Sequence, residues 1–476
     1  MKLNELHVTN PYLKLPSVCY DRVTPTPLAE PYLIHANTDV AKVLDIDETE
    51  LQTEAFVKFL NGEYIAEGSE PFAMCYAGHQ FGYFVPRLGD GRAINIGTID
   101  KYHLQLKGAG ITEYSRHGDG RAVLRSSIRE YLMSEAMHGL SIPTTLCLGL
   151  IGSEHDVRRD KIEKGAIVCR VSSSWVRFGT FEYYAHQGKF KELAALADYV
   201  IEENFPHHSG KENRYTLLFN DVLIITARLI AQWMSVGFNH GVMNTDNMSI
   251  AGLTIDYGPY AFLDDFRHEN VCNQTDVEGR YSFANQPEIA KWNLKSLIMA
   301  LSPLTDTDKM EKNLAMFDKI YIRYFHYYMC KKLGFEGTIE GDPELIDDML
   351  DMLEQLHVDY TLFFRTLSHY EGDRKALLST GLYHEPMNAW LDRYDARIKT
   401  IDTTERKEQM LSSNPKYVLK NYMLQEAIDA AEKGDFSVVD DLFQIAQNPF
   451  DEHPAFERWA EATPQEFKNK RLSCSS

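Results

Sequence analysis

The period of the hydrophobic positions changes along the chain, and that change divides it. Between about residues 94 and 171 the apolar side chains mostly alternate. Ile94 and Ile96 flank Asn95, and Tyr102, Leu104 and Leu106 alternate with His103, Gln105 and Lys107. Residues 144–151 and 166–171 read as two further runs. Alternation at period two predicts half-buried strands, with Lys107 and Arg170 on the polar faces. One helical stripe interrupts them: Leu124, Ile128, Tyr131, Leu132 and Ala136, with Glu130 beside it and Gly139 and Pro143 ending it. From about Phe181 the spacing is helical almost throughout. Patterns cover 189–204 and 216–236, then a helix opened by Pro287. Further runs lie near 308–333, 343–356, 360–368, 387–398, 415–433 and 437–447. The first ninety residues are punctuated by prolines, with two short helical patterns at 39–44 and 50–60. The expected architecture is α+β. An N-terminal extension and a mixed α/β lobe occupy 1–178, and a mainly helical lobe occupies 179–450. A tail follows over 451–476, mobile from Pro464 onward.

A short span between apolar runs packs together two acids and several amides: His240-Gly241-Val242-Met243-Asn244-Thr245-Asp246-Asn247, followed by Thr254-Ile255-Asp256-Tyr257-Gly258. Met248 and Ile250, then Leu253 and Ile255, read as two short strands around a turn at Gly252. Asp246 and Asn247 then lie on a loop, and Asp256 follows the second strand. Carboxylate and amide oxygens brought together this way suit Mg²⁺, a hard cation held by one or two carboxylates and by substrate phosphates. The plainer reading is a pair of polar turns. The stretch looks like a protein-kinase catalytic loop, H-R-D-x-x-x-x-N, with Asp256-Tyr257-Gly258 in place of D-F-G. Aligning the kinase Asn with Asn247 puts Val242 where the catalytic Asp belongs. Valine cannot accept a proton. Either the chain is a dead kinase, or Asp246 has taken over as base.

Composition narrows the classes. The chain has 476 residues, 44% of them hydrophobic, enough for two or three domains or lobes. A net charge of −20 argues against nucleic acid or an anionic membrane as partner. No apolar run is expected to span a membrane, and the N-terminus lacks the pattern of a secretion signal. Seven cysteines without a C-x-x-C pair suit a reducing cytoplasm. Cys474, on the terminal tail, is the one expected to be exposed.

Two GDGR strings, at 89–92 and 118–121, add a second kind of chemistry. Glycine turns present backbone N–H groups to anions, and an adjacent Arg adds a fork matched to phosphate. A single copy would read equally well as a tight hairpin with a solvated Arg. Lys107 at a strand end and Glu130 on the next helix have the order of the kinase Lys–Glu pair. Arg170 and Arg177 follow at the end of the strand region. In Ala77-Gly78-His79-Gln80-Phe81-Gly82 the glycines mark a loop where backbone approaches something closely.

Taken in order, these strings resemble the SelO family, also called YdiU, of protein adenylyltransferases on a pseudokinase fold. The resemblance rests on GDGR at 89–92, Lys107, GDGR at 118–121, Glu130, Arg170 with Arg177, N-T-D-N at 244–247, D-Y-G-P at 256–259, and Asn285-Gln286-Pro287. It implies a kinase-like two-lobed fold. It also implies a nucleotide bound in the flipped sense, so that AMP, or UMP in bacterial members, passes from ATP or UTP to protein Ser, Thr or Tyr hydroxyls. By the resemblance, Asp246 is the proton acceptor, and Asn247 and Asp256 bind Mg²⁺ or Mn²⁺. Gly89, Gly91, Arg92, Lys107, Asp119, Gly120, Arg170, Arg177 and Asp256 surround the nucleotide, and Glu130 pairs with Lys107. Self-modification and a monomeric state are expected. The resemblance also favours a reversible Cys272–Cys474 disulfide over a free terminal thiol. An atypical kinase and an inert nucleotide-binding scaffold remain as the other readings. Val242 disfavours the first, and the retained metal and phosphate ligands disfavour the second.

Overall fold

The computed structural model describes residues 1–473. The alternating runs pair into one antiparallel sheet. In chain order its strands are β1 (Tyr20–Arg22), β2 (Pro31–Ala36), β3 (Phe72–Met74), β6 (Ala93–Ile99), β7 (Tyr102–Lys107), β8 (Ala122–Val123), β9 (Leu146–Arg158) and β10 (Ile162–Ser172). A separate hairpin, β4 (Gly78–Gln80) and β5 (Tyr83–Val85), lies between β3 and β6 in sequence. The spatial order is β1-β3-β6-β7-β10-β9-β2, with β8 against β10. The register of β7 on β10 sets Gln105 opposite Arg170 and Lys107 opposite Val168. Both basic side chains therefore share one face of the sheet.

The two faces build two cores. Leu104, Leu106, Ile167, Cys169 and Val171 join residues of the N-terminal extension, including Leu3, Phe56 and Leu60. Ala166 and Val168 face the other way, into a core continuous with the helices. This second face was expected to be solvated. Instead His103 and Gln105 are buried. Burial calls for hydrogen bonds; Gln105 makes them, whereas His103 is bonded at one ring nitrogen and its Nε2 is buried without a partner among the described residues. His103 Nδ1 meets Thr98 Oγ1 at 3.0 Å, and Gln105 Nε2 donates to Asp90 Oδ2 at 3.3 Å.

Two short helices, α1 (Thr38–Val43) and α2 (Glu54–Leu60), cover the first core. Thr53 caps α2 by accepting from the N–H of Phe56, which splits the single helix expected over 50–60. Helix α3 (Leu124–Gly139) packs on β9 and β10 and carries Glu130 inward. Then come α4 (Phe178–His186), α5 (Phe190–Asn204), α6 (Arg214–Val236) and α7 (Gln286–Leu301). The run expected over 308–333 is two helices, Asp308–Leu314 and Phe317–Lys332.

Three expectations need correcting. Residues 248–255 do not form a hairpin. Their backbone pairs outward instead: Met248 O accepts from Phe178, Ile250 N donates to Val176 O, and Thr254 N donates to Pro143 O. The apolar Met248, Ile250 and Ile255 are buried anchors of that connection. The tail from Pro464 is docked through residue 472, not loose. Lys468 pairs with Asp265 at 2.7 Å, and Leu472 bridges to Asn273. Finally, α6 is long and apolar enough by length and composition to cross a membrane, although no such run was expected. Its apolar window is 67% buried inside the protein, as suits a core helix.

Candidate active site

The polar face of β7 and β10, the N-terminus of α4 and the 240–258 segment enclose a cavity of about 450 Å³. Its lining includes Gly89, Gly91, Arg92, Lys107, Asp119, Gly120, Arg170, Arg177, Asp246, Asn247 and Asp256. Residues far apart in sequence thus share one cleft. Glu130 lies behind it, on α3.

Asp256 is the electrostatic centre. Arg170 Nη1 donates to its Oδ1 at 2.8 Å, Arg177 donates to its Oδ2, and Lys107 Nζ stands 3.8 Å from Oδ1. Burial alone would raise its pKa, but Arg177, Arg170 and Lys107 hold it well below the usual carboxylate range. Glu130 is held low in the same way, with burial outweighed by Lys107 and Arg170, at 2.5 and 2.8 Å. The expected Lys107–Glu130 pair is therefore present, and Arg170 bridges it to Asp256. The guanidinium of Arg170 also lies over Trp175, and that of Arg177 over Tyr76. These cation–π contacts add to the ion pairs that already hold both guanidinium groups. Asp256 adopts φ +58°, a strained region for a residue with a side chain, and such strain clusters at functional sites.

Asp246 and Asn247 lie in a 3-10 turn, Thr245–Asn247. Arg177 Nη1 donates to Asp246 O at 2.8 Å, so one guanidinium ties the backbone of Asp246 to the carboxylate of Asp256. Gln80 Nε2 donates to Asp246 Oδ2 at 3.1 Å. Burial pushes the Asp246 carboxyl up to about 6, against the lowering effects of Gln80 and Arg177. A group poised near neutrality suits general-base work. Asn247 Nδ2 donates to Val242 O at 2.9 Å, which turns its amide and leaves Oδ1 as an acceptor without a hydrogen-bond donor among the described residues. His240 is structural. Its Nε2 meets Ile255 O at 3.0 Å and its Nδ1 accepts from the N–H of Val242, fixing the neutral tautomer.

The donor set fits a hard divalent cation. Asn247 Oδ1 and the Asp256 carboxylate are oxygen donors lining one cavity, the ligand type Mg²⁺ and Mn²⁺ select.

The two GDGR strings are used in opposite ways. In the first, Asp90 is buried and accepts from the N–H of Met74 and from Asn95 and Gln105, while Arg92 is exposed at the cavity. In the second, Arg121 turns inward to the carbonyls of Thr26, Gly108 and Pro27, while Asp119 pairs with Arg159 at 2.7 Å on the cavity wall. At Gly89 (φ +140°) a Cβ would fall 2.3 Å from the Tyr114 ring, so only glycine fits there.

Cys272 is buried, and its thiol donates to Pro259 O at 2.9 Å. Cys474 lies outside the described residues. Sequence reasoning missed Tyr76 and Arg159 at the cleft, and Gln80 and Trp175 in contact with Asp246 and Arg170 behind it. For Gln80 a signal existed, the glycines on either side of it.

The family model of the protein adenylyltransferase SelO matches residues 2–447. The chain is 47% identical over 486 residues to the protein nucleotidyltransferase YdiU of Myxococcus xanthus, covering 100% of this chain and 99% of that protein. It is 45% identical over 481 residues to the YdiU of Aliivibrio fischeri (strain ATCC 700601 / ES114), covering 99% of each. It is 43% identical over 489 residues to that of Herminiimonas arsenicoxydans, covering 100% of this chain and 98% of that protein. The chain belongs to the SelO family and is an enzyme of the nucleotidyltransferase class.

Proposed function

We propose that the protein moves AMP from ATP to Ser, Thr or Tyr hydroxyls of proteins, itself included, and releases pyrophosphate. UMP from UTP is the second nucleotide it would use. The observation that carries this reading is the placement of Asp246 beside Asn247 and Asp256, with Val242 where a kinase keeps its base. The sheet and the helical region serve as the two lobes of a kinase-like fold, acting as a monomer. Attack at the α-phosphorus puts developing charge on the departing pyrophosphate. Lys107, Arg170 and Arg177 supply fixed positive charge in a sheltered cleft, the usual source of transition-state stabilisation. Asp246 accepts the hydroxyl proton. Mg²⁺ or Mn²⁺ on Asn247 and Asp256 would neutralise phosphate oxygens.

The test is the fate of label. ATP labelled at the α-phosphate should mark the enzyme or an added protein, and ATP labelled at the γ-phosphate should not. Transfer of γ label alone would make the enzyme a kinase.

A redox brake fits the same site. We propose that Cys272 and Cys474 form a reversible disulfide under oxidation, passing two electrons to a small-molecule disulfide. Leu472, two residues before Cys474, donates its N–H to Cys272 O at 2.9 Å. Cys272 also touches the catalytic segment, since a Cβ on Gly241 would lie 2.6 Å from its sulfur. Oxidised protein should yield a Cys272–Cys474 cross-linked peptide and lower activity that reductant restores. Finding both thiols free after oxidation would discard this pairing.

A further inference from the structure

The β4–β5 hairpin is bound to the catalytic segment more tightly than a passing loop would need. His79 N donates to Thr245 Oγ1 at 2.7 Å, and His79 Nδ1 meets Glu182 Oε1 at 2.6 Å. Thr245 Oγ1 donates to the other oxygen of Glu182. Phe81 N donates to Tyr281 OH at 2.9 Å, and that hydroxyl donates to Asn244 Oδ1 at 2.7 Å. Asn244 and Thr245 immediately precede Asp246. The hairpin also closes on Asp246 itself. A Cβ on Gly78 would fall 2.4 Å from Asp246 Oδ1, and one on Gly179 would fall 2.0 Å from Ala77 O. Both positions require glycine for this approach.

The two carboxylate oxygens of Asp246 therefore differ. Oδ1 is packed against Gly78, buried and without a hydrogen-bond partner among the described residues. Oδ2 accepts from Gln80 Nε2. A carboxylate oxygen has two lone-pair positions, so Oδ2 keeps one for a second donor. The geometry points to Gln80 as a positioning residue for Asp246: its amide holds Oδ2 in one orientation, so that this oxygen receives the acceptor hydroxyl. The assignment rests on the reading of Asp246 as the base. The anchored hairpin supplies what such a group needs, a donor whose flanking backbone is hydrogen-bonded to the same turn.

Full-length Gln80→Ala and Gln80→Glu test it by rate of α-label transfer and by KM for ATP. A displacement of about 1 Å at a reacting group costs up to about 10²-fold, so kcat should fall about 10- to 100-fold in Gln80→Ala. KM for ATP should stay within about a factor of two, because Gln80 is not among the residues lining the cavity. Gln80→Glu keeps the shape but replaces the donor with an acceptor, and should lose at least as much. In an Asp246→Asn background, Gln80→Ala should cost nothing further, since its only route to the chemistry has gone. Wild-type kcat in both single variants overturns the assignment. So does a loss of kcat matched by a loss of ATP binding and of thermal stability, which would mark Gln80 as structural. An active Asp246→Asn enzyme would show instead that the reading of Asp246 has failed.

Discussion

Asp246→Asn should lower nucleotidyl transfer by about 10²–10⁴-fold, the usual worth of a positioned general base, and leave ATP bound. The substitution keeps the shape of the side chain and removes its basicity. Among the described residues the cleft offers no other carboxylate free to replace it, Asp119 being paired with Arg159. Asp256 is engaged by Arg170 and Arg177 and held well below the usual range, too weak a base for a hydroxyl. Glu130 is buried behind Lys107 and Arg170. Asp90 is consumed by Met74, Asn95 and Gln105. Val242 has no proton acceptor on its side chain. Nucleotide affinity should persist, because the cationic side chains of the cleft remain in place. Initial rates with α-labelled ATP, alongside calorimetric titration of ATP, separate the two quantities. A variant within a few-fold of wild type would move the base elsewhere.

The parts of this site legible in the sequence were those whose role is set by local pattern. The periods put Lys107 at the end of an alternating run and Glu130 on the following helical stripe, and the resemblance to a kinase Lys–Glu order implied that the two are paired. The loop carrying Asp246 and Asn247 was legible because polar residues there interrupt two apolar segments. What could not be read needed tertiary partners. The GDGR strings are identical as text, yet one buries its Asp and the other its Arg. Only the neighbours decide, Gln105 and Asn95 for Asp90, and the carbonyls of Thr26 and Gly108 for Arg121. Residues 248–255 have strand-like apolar spacing, but their partners are the 143–145 and 176–178 segments rather than each other. The polar face of β7 looked solvated because nothing local announces that Arg170 and Asp90 will satisfy Gln105. The docked tail is likewise a matter of two distant acids, Asp264 and Asp265, meeting Asn469 and Lys468.

Asp256 carries the other large effect, and it acts on both stability and binding. Three cations, Lys107, Arg170 and Arg177, converge on it, and Glu130 is the other carboxylate that balances them. Removing one partner of a buried charge cluster leaves the rest uncompensated, at a cost of about 3–5 kcal/mol when burial is complete. Asp256 is 20% exposed at its side chain, so Asp256→Asn should cost toward the lower end, about 3 kcal/mol. The sign with pH follows from the depressed folded-state pKa. An unfolded Asp titrates near about 3.9, so in metal-free protein the stability from Asp256 is fully present above that value. It is lost as pH falls through the lower folded-state value. The gap between wild type and Asp256→Asn should therefore be widest at neutral pH and close under strong acid. Denaturant unfolding across that range measures it, and a gap that grows on acidification would contradict the ion cluster. Activity should disappear in Asp256→Ala, since Asn247 alone cannot hold a divalent cation with substrate phosphates. ATP affinity in that variant should no longer respond to Mg²⁺ or Mn²⁺, because the cations freed from Asp256 would meet the phosphates directly. An unchanged metal response would take Asp256 out of the metal site while leaving its place among the arginines intact.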